Sequence, residues 1–431
     1  MSPGSNNQPS FAQSRPDGDE ADICVVGGAG HVGLPLALVL ASKGHRVRIY
    51  DVNQEALAKI REGVMPFAEL DAEPLLQRVL SEGRLTFSAS SDCIADVATL
   101  VVTIGTPIDE FLNPEVRIIK QWADQSIPYL TDGQLLILRS TVYPGTTQWL
   151  EKYLAKAGKN LHLAYCPERI VQGFAVRELQ TLPQIISGTT PEAEQGASAV
   201  FSSIAPQVVR LTPLEAEFAK LFANAYRYIE FAIANQFYTI AHSAGVDYNR
   251  VLDGLQADYP RGRGIPRAGF TAGPCLVKDT MQLAAFSQNQ FPLGHAAMLV
   301  NEGLVLYLVD DLKRKYPLSE MVVGLLGMAF KADCDDTRSS LSYKLKKLLK
   351  LVTADVLTTD PHVTTDPELL PVEAVIERSD LLILCTPHAD YRDLDTRNKP
   401  VIDVWGYWRH RSLEVAASTQ CEKRGAKGEG L

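Results

Sequence analysis

The stretch DICVVGGAGHVGLPLALVLASKGHRVRIYDVN, Asp22 to Asn53, constrains the chain more than any other. An apolar run, Ile23 to Val26, leads into Gly28-x-Gly30-x-x-Gly33, an apolar helical segment and a second run, Val47 to Tyr50, that ends at Asp51. Strand, glycine turn, helix and strand in this order predict a dinucleotide-binding βαβ unit. Gly28 is expected to allow the tight turn, Gly30 the approach of a pyrophosphate to the helix N-terminus, and Gly33 the packing of helix on strand. His31 and Val32 complete the loop. Asp51 stands where a carboxylate bonds ribose hydroxyls and repels a 2'-phosphate, so NAD is favoured over NADP.

Further apolar, β-branched runs follow in TLVVTIGTP, QLLILRSTV and LHLAYCPE. They read as buried parallel strands, and ligands sit at the carboxyl ends of such strands. Thr106, Pro107, Ser140, Thr141 and Glu168 fall at those ends. From Thr212 a helical pattern continues for roughly 30 residues, a length of about 45 Å. It can bridge two domains and offers faces broad enough for a dimer. Lys220 and Asn224 lie four apart on one face of it. From Pro317 a second α/β unit is expected, with strands in MVVGLLGMAFK, DVLTTDPHV, DLLILCTPH and PVIDVWG. It has no GxGxxG, so a second dinucleotide is not expected there.

At 431 residues and 46% hydrophobic content, the chain is long and apolar enough for two or three cores. The net charge of -9 argues against general binding to nucleic acid or anionic membrane. The seven cysteines are irregularly spaced and form no CxxC, which fits neither a disulfide framework nor a metal site and points to a reducing cytoplasm. No uncharged apolar run approaches the ~20 residues of a membrane span. The polar segments 1–20 and 416–431 are expected to be disordered. The domains are expected at 21–211, 212–316 and 317–415.

Cys275 lies in AGPCLVKDT. Pro274 suits a first helical turn. The cysteine would then sit where the helix dipole favours a thiolate, with Asp279 one turn on. A free cysteine is otherwise commonly a small buried hydrophobe. That reading is assigned to Cys24, Cys385 and Cys93, in or beside apolar runs. NAD together with a nearby thiolate suggests oxidation of an alcohol to an acid through a cysteine adduct.

In GGAGHVGLPLA, TIGTPID, RSTVYPGTT, AYCPERIVQG, EFAKLFANAYRYIEFAIAN, AGPCLVKD and GMAFKADCDDTRSS, taken in order, the chain resembles the nucleotide-sugar 6-dehydrogenases, the UDP-glucose, UDP-N-acetylmannosamine and GDP-mannose dehydrogenase family. The resemblance covers about Asp22 to Arg409. It implies two Rossmann-like doubly wound α/β domains joined by a long central helix with a helical dimerisation region. It also implies a homodimer or higher homo-oligomer, and a UDP-sugar oxidised at C6 with two NAD. By motif, Cys275 would be the nucleophile, and Lys220 and Asn224 would stabilise charge on the C6 oxygen. Asp279 would organise water and Lys220, and Glu168 would be the base for thioester hydrolysis, with Thr141 placing the water. Arg338 would reach the cofactor pyrophosphate. Lys331, Gly273, Arg169 and Ile170 would contact substrate, as would Arg267 or its neighbours Arg261 and Arg263.

GPCLVKD is closer to the UDP-glucose branch. CPERI and DVWGYW are closer to the N-acetylmannosamine branch, and Asp403 is followed by Val404 and Trp405 where many UDP-glucose enzymes have Asp-x-Arg. The balance leans to a UDP-N-acetylhexosamine ahead of UDP-glucose, with GDP-mannose third. Two other readings are a single-step dehydrogenase of the 3-hydroxyacid type, which needs no cysteine and no second α/β domain, and a non-catalytic NAD-binding protein, which would shed the catalytic set.

Overall fold

The computed structural model describes residues 21–107, 109, 115, 117–271 and 273–408. The segments expected to be disordered, 1–20 and 416–431, lie outside the described residues, as does Cys421. The chain divides after Ala223 into two compact units. The division falls inside one helix, Pro213–Ser243, which is the long helix read from the sequence.

The first unit is built on six parallel strands: β1 (Ile23–Val26), β2 (Val47–Tyr50), β3 (Leu85–Ser88), β4 (Thr99–Val102), β5 (Leu135–Leu138) and β6 (His162–Tyr165). Their order is β3-β2-β1-β4-β5-β6, the doubly wound order of a dinucleotide-binding sheet. Both faces are covered. Ile23 and Val25 point into one core cluster, Cys24 and Val26 into the other. A strand buried on both faces reads as a continuous apolar run, which is why β1, β4 and β5 were legible. β3 carries LTFS and is mostly half-buried, and a short parallel pair, β7 (Gln184–Ile186) with β8 (Val208–Arg210), stands apart; the sequence reading named none of these three.

The register has no stagger. Val26 lies opposite Tyr50 and Val102, and Leu138 opposite both Val102 and Tyr165. The carboxyl ends of the central strands are therefore flush, and the loops carrying Gly28, Asp51, Thr106, Ser140 and Glu168 leave along one edge. The first turns of the long helix are tied to this unit by Glu217. Its buried carboxylate accepts from Gly145 N, Thr147 N and Thr147 Oγ1, at the start of helix Thr146–Lys156.

The second unit has four parallel strands, β9 (Val322–Leu326), β10 (Asp355–Thr359), β11 (Leu381–Leu384) and β12 (Val401–Ile402), in the order β10-β9-β11-β12. All four fall in runs named from the sequence. Helix Pro292–Lys315 packs Leu304, Val305, Leu308 and Leu312 into this unit's core. By length and composition alone it would pass for a membrane span, although Glu302, Asp310 and Asp311 interrupt its apolar run. Here it serves as a core helix, and its buried Asn301 bonds Asn235 and Tyr228 O on the long helix. Asn235 also accepts from Gly269 N, which ties the segment before Cys275 to the same helix.

Asp360, at the end of β10, caps the β9 turn. Its Oδ2 accepts from Met328 N (2.6 Å), Ala329 N (2.9 Å) and His388 Nε2 (3.0 Å), and its Oδ1 from His362 N and Val363 N. Burial opposes its ionisation, but the His388 hydrogen bond and the backbone donors outweigh it and hold the carboxyl well below the usual range. A carboxyl depressed in the folded state stabilises the fold above its unfolded value of about 4, and that contribution is lost as pH falls through the folded value. Asp360→Asn is therefore expected to lower the melting temperature at pH 7 and to flatten its acid dependence below about pH 4. Scanning calorimetry across pH checks this, and parallel acid limbs would contradict it.

Candidate active site

The glycine loop follows β1. The left-handed turn falls at Gly27 (φ +75°), one residue before the position the sequence pattern assigns it. Gly28 is needed for closeness instead: a Cβ there would lie 2.6 Å from Val25 O and 2.9 Å from the Ile49 side chain. A Cβ at Gly33 would strike Gly27 O, Gly28 Cα and Thr103 Oγ1. At Gly30 the nearest atom would be Gly27 O at 3.5 Å, so this face of the loop is open to a ligand. Val32 is the N-cap of helix Gly33–Ser42, whose first N–H groups face the loop. Asp51 Oδ2 accepts from Ala29 N at 3.0 Å and Oδ1 from Asn53 N. His31 packs against Phe67, with ring centroids 4.0 Å apart and the rings tilted by 43°, and meets Gln172 at 3.2 Å. An open loop at a helix N-terminus with a carboxylate at the end of β2 fits NAD.

The next loops brace one another. Thr106 Oγ1 donates to Thr141 O at 2.5 Å, and Ser140 Oγ to Ile104 O at 2.6 Å. Pro107 O accepts from Glu115 N. Glu168 is buried, and all its donors are in place. Oε1 accepts from Arg169 N (2.6 Å) and Ile170 N (2.7 Å), and Oε2 pairs with Arg139. Arg139 is fully buried, bonds Cys166 O and Gln184 Oε1 at 3.1 Å each, and lies over the Phe201 ring. The sequence reading missed Arg139, because an arginine after an apolar strand carries no sign of its partner.

In the second unit the helix starts one residue later than expected. It spans Leu276–Phe286, with Cys275 at the N-cap and Pro274 before it. Gly273 (φ +111°) makes the turn, and its Cα lies against the Phe330 ring. Cys275 is exposed, and its carbonyl accepts from Asp279 N at 2.9 Å, so the two residues are one turn apart as expected. Asp279 is fully buried. Its Oδ2 accepts from Asn224 Nδ2 at 2.5 Å, and the Lys278 ammonium lies 2.9 Å from Oδ1, off the hydrogen-bond direction. Within this unit the ion-pair partner of Asp279 is Lys278, which the sequence reading passed over. Lys220 and Asn224 are both buried, one turn apart on the long helix.

Lys331 follows the β9 turn. Arg338 is held by Asp336 through Nε and Nη2, which with its closeness to Cys275 strengthens its hold on the proton. Arg267 donates to Asn249 Oδ1 at 2.9 Å and lies 3.8 Å from Asp253, while Arg261 and Arg263 are exposed. Cys24 and Cys385 are buried, as read. Cys93 is only half-buried. A hydrogen bond with the Cys24 thiol, against burial and with help from Ser88 and Arg48, brings its thiol down to about 7.

Arg139→Met would leave Glu168 charged and buried without its cation. A loss of about 3–5 kcal/mol is expected, as for one partner removed from a buried pair. Arg139→Met combined with Glu168→Met should regain at least half of it, and urea unfolding of both variants checks this.

Three descriptions of one family align along the chain in order: the NAD binding domain of the UDP-glucose/GDP-mannose dehydrogenase family over residues 21–205, its central domain over 214–303 and its UDP binding domain over 324–410. A UDP-N-acetyl-D-mannosamine dehydrogenase of Pyrococcus horikoshii is 29% identical over 400 residues, covering 87% of this chain and 93% of its own. An NDP-N-acetyl-D-galactosaminuronic acid dehydrogenase of Ralstonia nicotianae is 28% identical, covering 92% and 98%. Among solved structures, a UDP-glucose dehydrogenase from Pyrobaculum islandicum superposes with a TM-score of 0.83 at 27% identity, covering 92% and 98% of the two chains. Three consecutive domain matches, a doubly wound NAD sheet and a helix-capping cysteine backed by an Asn–Asp–Lys cluster agree: this chain belongs to the UDP-glucose/GDP-mannose dehydrogenase family of NAD-dependent oxidoreductases.

Proposed function

We propose that this nucleotide-sugar dehydrogenase oxidises the C6 alcohol of a UDP-N-acetylhexosamine, UDP-N-acetylmannosamine first and UDP-glucose second, to the uronic acid. The observation that carries the chemistry is Cys275: an exposed thiol at a helix N-cap, with a buried Asn224–Asp279–Lys278 cluster one turn behind it. The names of the P. horikoshii and R. nicotianae relatives support an N-acetylated sugar, and the P. islandicum structure keeps UDP-glucose second.

NAD, when bound, accepts the hydride in each of the two oxidations. Gly28, Gly30, His31, Val32 and Gly33 frame its pyrophosphate, Asp51 its ribose, and Thr106, Pro107, Ser140, Thr141 and Arg338 its remaining contacts. Lys220 and Asn224 steady negative charge on the C6 oxygen as the alcohol gives up its proton and hydride. The Cys275 sulfur adds to the aldehyde carbon, and the C6 oxygen takes a proton, giving a thiohemiacetal. Loss of the second hydride and of that proton leaves a thioester. Water, placed by Thr141 and deprotonated by Glu168, cleaves it, and the thiol is restored. Arg139 holds the Glu168 carboxylate in a single orientation for this step. Asp279 positions Asn224 through the bond they share. Arg169, Ile170, Gly273, Arg267 and Lys331 complete the sugar-nucleotide contacts.

The protein acts as a homodimer in this reading. Tyr226, Ile233, Phe237 and Ile240 form an exposed apolar stripe along the long helix, which a second copy would cover. A cytoplasmic location is supported by the six described cysteines, none of which is in a disulfide.

Two NADH per sugar are expected with UDP-N-acetylmannosamine, measured by absorbance against acid formed; one NADH per sugar would end the thioester route. Cys275→Ser is expected to slow acid formation by about 10³-fold or more while the protein still binds NAD. Tyr226→Glu with Ile240→Glu is expected to give monomers by light scattering; an unchanged dimer would place the interface elsewhere.

A further inference from the structure

The loop from Gly327 to Asp333 carries Phe330 and Lys331, and it is pinned at both ends. At its start, Met328 N and Ala329 N donate to Asp360 Oδ2 at 2.6 and 2.9 Å. At its end, Asp333 N donates to His388 Nδ1 at 3.0 Å, and Asp333 Oδ1 accepts from Ala389 N. The two pins are one device, because His388 Nε2 lies 3.0 Å from Asp360 Oδ2. This hydrogen bonding assigns the tautomer. Nδ1 accepts an N–H and is bare, so Nε2 carries the proton and donates it to the carboxylate.

His388 is fully buried, and Tyr407 Oη donates to its carbonyl at 2.9 Å. Two loop residues sit in conformations that need outside support: Gly327 at φ +92° and Asp333, which is not glycine, at φ +54°. Gly327 has no room for a side chain, since a Cβ would come within 2.5 Å of the Thr386 Cβ. Left-handed backbone at Asp333 is costly for a residue with a side chain and persists only where surrounding bonds over-determine it.

Asp333, His362 and His388 bring ligand-type atoms within 4.8 Å of one another, which by distance would suit a metal ion. Both His388 nitrogens are already spent, however, one lone pair on Asp333 N–H and one proton on Asp360. Hydrogen bonding therefore accounts for His388 and leaves it no lone pair for a metal.

We infer that His388, acting through Asp360 and the Asp333 backbone, is a positioning residue that presents Lys331 to the sugar nucleotide. The inference rests on the reading of Lys331 as a substrate contact. His388 touches neither substrate nor cofactor in it. The same loop lays Phe330 against Gly273, two residues before Cys275, so its placement bears on the nucleophile's turn as well.

The test uses the full-length protein and UDP as the probe, with affinity measured by titration calorimetry and loop order by amide hydrogen exchange. His388→Ala is expected to weaken UDP binding about tenfold or more. His388→Asn, which can still accept from Asp333 N, should lose less. Exchange should accelerate at Met328, Ala329 and Asp333 while β9 and β11 keep their protection. Lys331→Ala should also weaken binding, and adding His388→Asn to it should cost less than about twofold more, because both changes act through one contact. Two outcomes overturn the positioning role alone: Lys331→Ala weakens UDP binding but the His388 variants do not, or exchange rises throughout the unit. If Lys331→Ala leaves UDP affinity unchanged, the substrate reading of Lys331 fails, and the inference built on it falls with it.

Discussion

Parallel pairing without stagger is the constraint on which the rest of this structure depends. Strands that run the same way and end level must send their loops out along one edge, while the crossovers return along the faces. In the first unit that edge gathers the glycine loop, Asp51, the Thr106–Thr141 brace and the Glu168 segment. In the second it gathers the Lys331 loop, Asp360 and His388. Chemistry can accumulate along an edge because the faces are filled by apolar side chains that ask nothing of it.

Buried carboxylates then fix what the edges present. Glu168 with Arg139, Asp279 with Asn224 and Lys278, and Asp360 with His388 each bury an acid and surround it with donors. Such pairs give little net stability, since desolvation cancels most of the attraction. What they supply is a single arrangement, because any other would leave charge unmatched in a poorly polarisable interior. Each stands beside a segment with proposed chemistry: the 168–170 turn, the Cys275 helix start and the Lys331 loop. Glu217 does the same for the long helix by capping the helix that begins at Thr146.

The expectations that held have a common physical basis. β1, β4, β5, β9 and β11 were legible because doubly buried parallel strands write themselves as unbroken apolar runs. The pairing of Cys275 with Asp279 was legible because helical spacing is local. The misses share a basis too. β3 and β8 carry mixed, partly exposed residues whose pattern resembles loop, and β7 is only three residues long. The Cys275 helix begins one residue late because Gly273 and Pro274 serve the turn rather than the helix. Cys93 looked like a core thiol because its short-range surroundings are those of a strand end, whereas its sulfur is set by Cys24 and Arg48, some 69 and 45 residues away.

The chain's periodicity and its fingerprint alone determined a doubly wound NAD domain, a long helix and a second α/β unit, and put Cys275 at a helix start. These properties reside in short stretches, where propensity, spacing and turn chemistry act between neighbours. Only the tertiary structure decided which partner each buried charge would take: Arg139 for Glu168, Asn224 for Asp279, His388 for Asp360. Partner choice depends on which side chains the fold brings within about 3 Å of one another far from water, where an unmatched charge costs several kcal/mol. No local pattern records that distance.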